Sequence, residues 1–156
     1  MSKYSFEVEH FLSDQEIVEL EAECAPSLLM LNLRYTPEVD LSQGYSALAE
    51  HLDAIRTSWL LDAEGDRPQH TALVKGLGLA FGMLLQQRTA LRWCRARDSD
   101  STFVSMVRVD DSETKISVPV FNYIEKRETL QNAEVFRDFF KQVPSHVLGE
   151  KSVGPT

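Results

Sequence analysis

The spacing of the apolar residues changes near residue 90, and this change most constrains what the chain can fold into. Before it, apolar side chains recur at steps of three or four, which indicates amphipathic helices. After it, residues 91–97, 103–109 and 114–124 alternate apolar and polar side chains, with short polar turns between them. Such runs predict a three-stranded antiparallel meander. Pro119 cannot donate to a strand ladder, so the third strand should be an edge or be bulged at that point.

The first predicted helix has the clearest boundary in the chain. Ser13 and Glu16 have the spacing of a capping box, in which each side chain accepts a hydrogen bond from the backbone of the other. The helix should therefore begin near Asp14, and Pro26 should end it after Cys24. Further helices are predicted over about residues 42–61, 71–88 and 132–143.

Two segments are left with alternatives. Residues 1–11 alternate apolar and polar side chains, which fits a brief strand or an extended arm. Residues 26–40 contain the apolar run 28–33, which fits a strand or a helical turn, because periodicity does not separate the two in so short a run.

Three glycines lie inside the helix predicted over residues 71–88, which is apolar on nearly all sides. Each interior glycine costs about 0.5–1 kcal/mol relative to alanine. Gly76, Gly78 and Gly82 therefore indicate that the backbone of another element or a large ring comes close. Their spacing is not that of a dinucleotide fingerprint, which needs two residues between its last glycines and a strand before them.

These elements together predict an α+β fold. N-terminal helices and the central glycine-bearing helix should pack on one face of the three-stranded meander, followed by a C-terminal aromatic helix with Phe136, Phe139 and Phe140 on its inner face. A chain of 156 residues fits one domain. We place that domain at residues 1–143 and expect the polar tail 144–156 to be disordered.

The sequence shows no targeting or membrane segment. No apolar run reaches the ~18 residues that a transmembrane helix needs, and acidic residues stand where a signal peptide needs an apolar run. We therefore expect a cytoplasmic protein of the bacterial kind that binds no membrane. The two cysteines, Cys24 and Cys94, lie far apart in sequence and fit free thiols.

The net charge of −8 is concentrated in the first half of the chain. Residues 1–72 hold 4 basic and 14 acidic residues, a balance of −10, while residues 73–156 hold 12 and 10, a balance of +2. An acidic surface repels the phosphate backbone, so nucleic acid is not an expected partner. It suits a basic protein, although acidic helices also simply keep a protein soluble.

A cluster of cations around one tryptophan is the candidate ligand site. Its residues are Arg92, Trp93, Arg95, Arg97, Lys126 and Arg127. Arginine guanidinium groups beside an aromatic ring favour the binding of a small anionic ligand. The alternative is that these cations balance the acidic helices across the fold.

Motifs for catalysis are missing from the sequence. It contains no nucleophile elbow, no Walker loop and no zinc-protease motif, and its four histidines have no metal-ligand spacing. We therefore assign no catalytic residue, metal or cofactor.

Residues 77–140 resemble a bacterial family of domains of unknown function, the one numbered 3806. The resemblance is carried by the pattern Leu-Gly-x-x-x-Gly-x-x-Leu from Leu77 to Leu85, by Trp93, and by Ile-x-Lys-Arg from Ile124 to Arg127. In that family the pattern lies on a helix, the tryptophan on a strand, and Ile-x-Lys-Arg at the end of a strand. The family has no assigned activity, so the resemblance implies a fold and no function.

Three functions remain open from the sequence. The leading hypothesis is a non-catalytic acidic binding module, for example one of the immunity type that neutralises a basic protein. A homodimer is expected if a second copy covers the other face of the sheet. The alternatives are a domain that binds a small molecule or anion at the Trp93 cluster, and an enzyme whose site is assembled from distant segments.

Overall fold

The computed structural model describes residues 7–42 and 45–151 of the chain. Within these ranges the elements are β1 (Glu7–Phe11), α1 (Asp14–Tyr35), α2 (Ala49–Leu61), α3 (His70–Arg88), β2 (Arg92–Arg97), β3 (Thr102–Asp110), β4 (Glu113–Val118), α4 (Val120–Arg127), α5 (Val135–Gln142) and α6 (Ser145–Leu148). This architecture confirms the predicted α+β class. No helix in the described part of the chain is long and apolar enough to cross a membrane.

The sheet has four antiparallel strands in the order β1-β2-β3-β4, and not the three that we predicted. The extra strand is β1, which pairs with β2 so that Phe11 lies opposite Cys94. For residues 1–11 we left open a strand or an extended arm, and residues 7–11 are a strand. Residues 1–6 lie outside the described residues. The third predicted strand, β4, is an edge of the sheet, which is one of the two alternatives predicted for it.

The first helix begins as predicted but does not end at Pro26. Ser13 and Glu16 form both hydrogen bonds of the capping box, at 3.1 and 3.0 Å. The helix then continues through Pro26 to Tyr35. Pro26 lies on the exposed side, where water can bond to the carbonyl that loses its helical partner. On the other side, the buried Leu28 and its neighbours pack on α3, and this burial outweighs the cost of the proline.

The second helix begins at Ala49 instead of near residue 42. Within this helix Leu52, Ile55 and Trp59 are buried. The described residues 36–42 and 45–48 connect α1 to α2 without helical structure, and residues 43 and 44 of the predicted helix lie outside the described ranges. This connection matters because part of it forms one wall of the site described below.

The third predicted strand is too long, because the chain turns into α4 at Val120. Pro119 stands at the N-cap of this helix, a position that needs no ladder hydrogen bond. Val120 and Ile124 are four residues apart and are both buried, which is helical and not strand spacing. The Ile-x-Lys-Arg pattern at Ile124 therefore ends a helix in this chain.

Helix α3 lies in the middle of the hydrophobic core, and its glycines make the close contacts that the sequence indicated. A Cβ at Gly76 would lie 2.6 Å from Leu31 Cδ1 and 3.0 Å from the backbone nitrogen of Leu28 in α1. A Cβ at Gly78 would overlap the ring of Phe121, and a Cβ at Gly82 would overlap the ring of Trp93. The prediction of a near backbone and near rings is confirmed.

The described chain continues past Pro144, where we placed the start of a disordered tail. Residues 145–148 form α6, in which Leu148 is completely buried. The carbonyl of Leu148 also accepts a hydrogen bond from the N–H of Ala90, at 3.1 Å. Burial of Leu148 and this backbone bond attach a segment whose composition is polar to the rest of the domain. Residues 152–156 of the predicted tail lie outside the described residues.

Candidate functional site

Trp93, the centre of the predicted anion site, lies in the core. Only 3% of its surface is exposed. Its ring stacks on Phe121, with centroids 6.5 Å apart, and fills the space left open by Gly82. A ligand on the surface therefore does not meet the ring without a rearrangement of the core.

Three of the four arginines of the predicted site lie on β2, and their side chains leave the strand on both faces of the sheet. Arg92 adjoins Trp93 in the strand and so points to the opposite face, where its guanidinium lies 3.9 Å from the centre of the Phe11 ring. Arg97 pairs with Glu9 at 3.5 Å and with Glu7 at 3.9 Å. Arg95 has no ion pair with a described residue.

The remaining two cations of the predicted site lie at the end of α4. Arg127 covers the ring of Tyr123 at 3.7 Å and donates to the carbonyl of the same residue at 3.3 Å. Lys126 is exposed. No hydrogen bond, ion pair or ring contact among the described residues joins these two to β2. The ligand-binding role of the six residues stays a prediction.

The cavity that best fits a binding site lies elsewhere, between α1 and the chain that follows it. This groove has a volume of about 900 Å³. One side is α1, the floor is Leu79 and Met83 of α3, and the far side is formed by residues 37–42 and Tyr45. We call this far side, with Thr36, the loop wall. The volume lies within the range of ligand sites in proteins.

A smaller depression of about 640 Å³ adjoins the groove and shares the lining residues Pro26, Leu29 and Leu33 of α1 with it. Its lining includes Arg34 and Arg67, whose charged groups are already engaged. Arg34 bonds Asp62 at 2.7 Å, and Arg67 lies 3.7 Å from the centre of the Trp59 ring. We therefore take the larger groove as the candidate site.

Helix α1 presents a row of five exposed apolar side chains, of which the last four line the groove. The residues are Val18, Ala22, Ala25, Leu29 and Leu33, at steps of four, three, four and four. This spacing keeps them on one side of the helix for four turns. Leu33 is 61% exposed and Leu29 is 48% exposed. A continuous apolar row that no described part of the chain covers is typical of an interaction surface.

Acidic side chains surround this apolar surface. Glu21, Glu38 and Asp40 line the groove, and no lysine or arginine does. Glu21 and Glu38 form no ion pair with any described residue. Asp40 accepts two hydrogen bonds from Ser42, at 2.6 and 2.8 Å, which lower the pKa of its carboxyl group and keep it charged near neutral pH. The groove therefore has a negative potential.

A buried polar network joins α1, the loop wall and α2 at the end of the groove. His51 Nε2 lies 2.9 Å from Thr36 Oγ1 and 3.0 Å from Asn32 Oδ1. His51 Nδ1 lies 3.0 Å from the hydroxyl of Tyr45. Asn32 Nδ2 donates to the carbonyl of Val39 at 2.8 Å, which attaches the loop wall to α1. Asn32 and Tyr45 also line the groove.

Neither cysteine is poised as a nucleophile. Burial raises the pKa of Cys24 and that of Cys94 to about 11, so both thiols are protonated at neutral pH. No three His, Cys, Asp or Glu side chains in the described ranges are close enough together to hold a metal ion. The groove itself offers contact surface, charge and hydrogen-bond partners.

The sequence contained two of the signals for this site. One is the acidic balance of the first half of the chain. The other is the apolar row, which becomes visible only if the helix is allowed to continue through Pro26 to Leu33. Because proline usually ends a helix, we did not connect Val18 to Leu33.

No known family model matches the chain, and neither do the curated proteins or the solved structures. The resemblance to the family of domains of unknown function therefore stays a prediction.

Proposed function

We propose that the protein is a non-catalytic binding module whose groove takes a basic amphipathic helix of a partner protein. The single observation that carries this proposal is the exposed apolar row of α1 beside carboxylates that have no cationic partner among the described residues. An immunity-type protein that neutralises a basic partner would use such a surface. The immunity role is the more specific form of the proposal.

The shape of the surface favours a helical partner. The row from Val18 to Leu33 spans 15 residue steps, or about 22 Å along α1 at 1.5 Å per residue. A helix of about four turns beside it would place its own apolar side chains at the same spacing, between the ridges of α1. Helix-in-groove recognition uses anchors at this spacing. An extended peptide would need a free strand edge, and the groove is lined by helices and the loop wall.

The charge of the surface favours a basic partner. Lysine or arginine on the polar side of the bound helix would lie opposite Glu21 and Glu38, which the protein leaves unpaired within its described residues. Such exposed pairs contribute little to affinity, but they speed association and reject acidic partners. The net charge of −10 over residues 1–72 also favours association with a basic partner.

The two alternatives have less support. A small-anion site at the predicted cluster would have to work with a buried Trp93 and with Arg92 on the opposite face of the sheet. A catalytic site would need a reactive group, and both cysteine thiols are protonated by burial.

A set of three labelled peptides tests the proposal by fluorescence anisotropy. The first is a leucine–lysine helix of about 18 residues with one apolar side. The second has the same composition in an order without an apolar side, and the third carries glutamate in place of lysine. We expect the first to bind at least about tenfold more tightly than the second, and the third not to bind.

Two outcomes would contradict the proposal. One is equal binding, or no binding, of all three peptides. The other is sedimentation of the free protein as a dimer that the basic peptide dissociates, since a second copy would then be the occupant of the groove.

A further inference from the structure

His51 is held as a neutral ring with one defined tautomer. The donation from Asn32 Nδ2 to the carbonyl of Val39 fixes the orientation of the side-chain amide. The other atom of the amide, Oδ1, can only accept hydrogen bonds. The hydroxyl of Thr36 donates to the same Oδ1, at 2.8 Å. The ring nitrogen Nε2, which lies 3.0 Å from that oxygen, must therefore carry the proton. Nδ1 is left as an acceptor, and the hydroxyl of Tyr45 donates to it at 3.0 Å.

The same bonds fix the loop wall to the rest of the protein. Tyr45 and Thr36 belong to the loop wall, and both bond to the His51 ring of α2. Val39 is attached to α1 through Asn32. His51 is 8% exposed, and Asn32 is 2% exposed. The position of the far side of the groove therefore depends on a buried network with His51 at its centre.

We propose that protonation of His51 releases the loop wall, so that the groove holds its partner at neutral pH and loses it in mild acid. This inference rests on the proposed function for its consequence, but the release itself concerns the free protein. A second proton on the ring would turn Nδ1 into a donor facing the Tyr45 hydroxyl, which now donates to it. It would also place a positive charge in a buried site.

The surroundings of His51 oppose this charge. The loop wall presents Tyr45, Glu38 and the uncharged Thr36 to the ring, and α1 presents the uncharged Asn32. At the adjoining point of α3, the uncharged Gln87 accepts a bond from the N–H of Ala47, at 3.2 Å. Burial lowers the pKa of His51 below its usual 6.5, and the charge of Glu38 only partly offsets this effect.

The direction of the pH dependence follows from this lowered pKa. In the released state the ring meets water and regains a pKa near 6.5. Between that value and the lower pKa of the closed state, the released state binds the extra proton. Each pH unit below 6.5 therefore favours release by up to about tenfold, until the closed state is protonated as well.

Hydrogen exchange of the full chain without any peptide tests the release. The probe is the amide of Val39, which donates to the carbonyl of Thr36 at 3.0 Å. Its protection, corrected for the intrinsic exchange rate, should fall about tenfold or more between about pH 7.5 and about pH 5. The amide of Thr89, which ends α3 and donates to Leu85 at 2.9 Å, serves as the reference and should change little.

Two variants separate titration from a general loss of structure. His51→Gln cannot titrate in this range, so the protection of Val39 should no longer depend on pH in this way. Tyr45→Phe keeps the aromatic ring of residue 45 and removes only the hydroxyl that bonds to His51 Nδ1. The protection of Val39 should therefore already be lower at about pH 7.5. A wild-type protection that stays constant over this range overturns the inference. An equal fall in the protection of Val39 in the His51→Gln variant also overturns the inference.

The binding consequence is measured separately, with the leucine–lysine peptide at both pH values. Its affinity should fall together with the protection of Val39, and an affinity that stays constant while protection falls overturns the regulatory role. A peptide that binds at neither pH contradicts the proposed function and leaves the exchange measurement unaffected, so the two failures are distinguishable.

Discussion

Asp53 and Arg56 lie one turn apart on α2 and bind the backbones of two different helices at ends of opposite polarity. The carboxylate of Asp53 accepts from the N–H groups of Phe136 and Arg137 at the start of α5, at 2.8 and 3.2 Å. The guanidinium of Arg56 donates to carbonyls at and after the end of α4. Each charge therefore meets the helix end that its sign stabilises.

Loss of the Arg56 side chain should destabilise the protein strongly. The carbonyls of Arg127, Leu130 and Asn132 all accept from this guanidinium, and Arg56 as a whole is 1% exposed. Arg56→Leu would leave them without a partner, and we expect a loss of about 3 kcal/mol in the free energy of unfolding by urea. Arg97→Leu is the matched control, since an exposed ion pair contributes only about 0.5 kcal/mol. Equal effects of the two changes would contradict this role of Arg56.

The contact between Gly82 and Trp93 should tolerate no side chain. Gly82→Ala would place a methyl group inside the Trp93 ring, which is held by Phe121 and the core. We expect a loss of about 1–3 kcal/mol in the free energy of unfolding, measured in urea. Gly65→Ala is the control, because nothing lies within 4 Å of the position that its Cβ would take. If Gly82→Ala unfolds no more easily than Gly65→Ala, the close packing of α3 on β2 is wrong.

The free energy of unfolding should fall as the pH drops below about 6.5, the ordinary pKa of histidine. The pKa of His51 is lowered by burial in the folded protein, so the unfolded chain binds more protons between the two pKa values. Stability is then fully present above 6.5 and is lost with decreasing pH, by up to about 1.4 kcal/mol per pH unit. Urea unfolding at about pH 7.5 and about pH 5.5 measures the loss. His51→Gln should have the flatter profile, and identical slopes would exclude His51 as the cause.

Local signals in the sequence predicted the elements that depend on local contacts. The capping box at Ser13 and the alternation in β2 and β3 depend on neighbours a few residues away, and both are present as expected. The glycines of α3 also indicated correctly that a backbone and large rings come near. What they could not give was the identity of the partners, since Gly82 and Trp93 meet only in the folded chain.

Tertiary packing decided the parts that the sequence did not predict. Pro26 is tolerated because the buried side of α1 packs on α3, a contact between segments about 50 residues apart in the chain. The His51 network likewise joins three segments, so neither Asn32 nor Tyr45 pointed to it beforehand. The candidate groove was missed for the same reason, although its acidic character was visible in the charge balance.

The most direct test of the central claim is binding of the leucine–lysine helix to two charge-insertion variants. Leu33→Glu places a carboxylate in the apolar row, while Leu61→Glu changes a side chain that is 84% exposed and lies outside the groove. Burial of a leucine side chain contributes about 1.5–3 kcal/mol, so Leu33→Glu should weaken binding at least about tenfold. Leu61→Glu should bind like the wild type. If both variants bind the peptide as the wild type does, the groove along α1 is not the binding site.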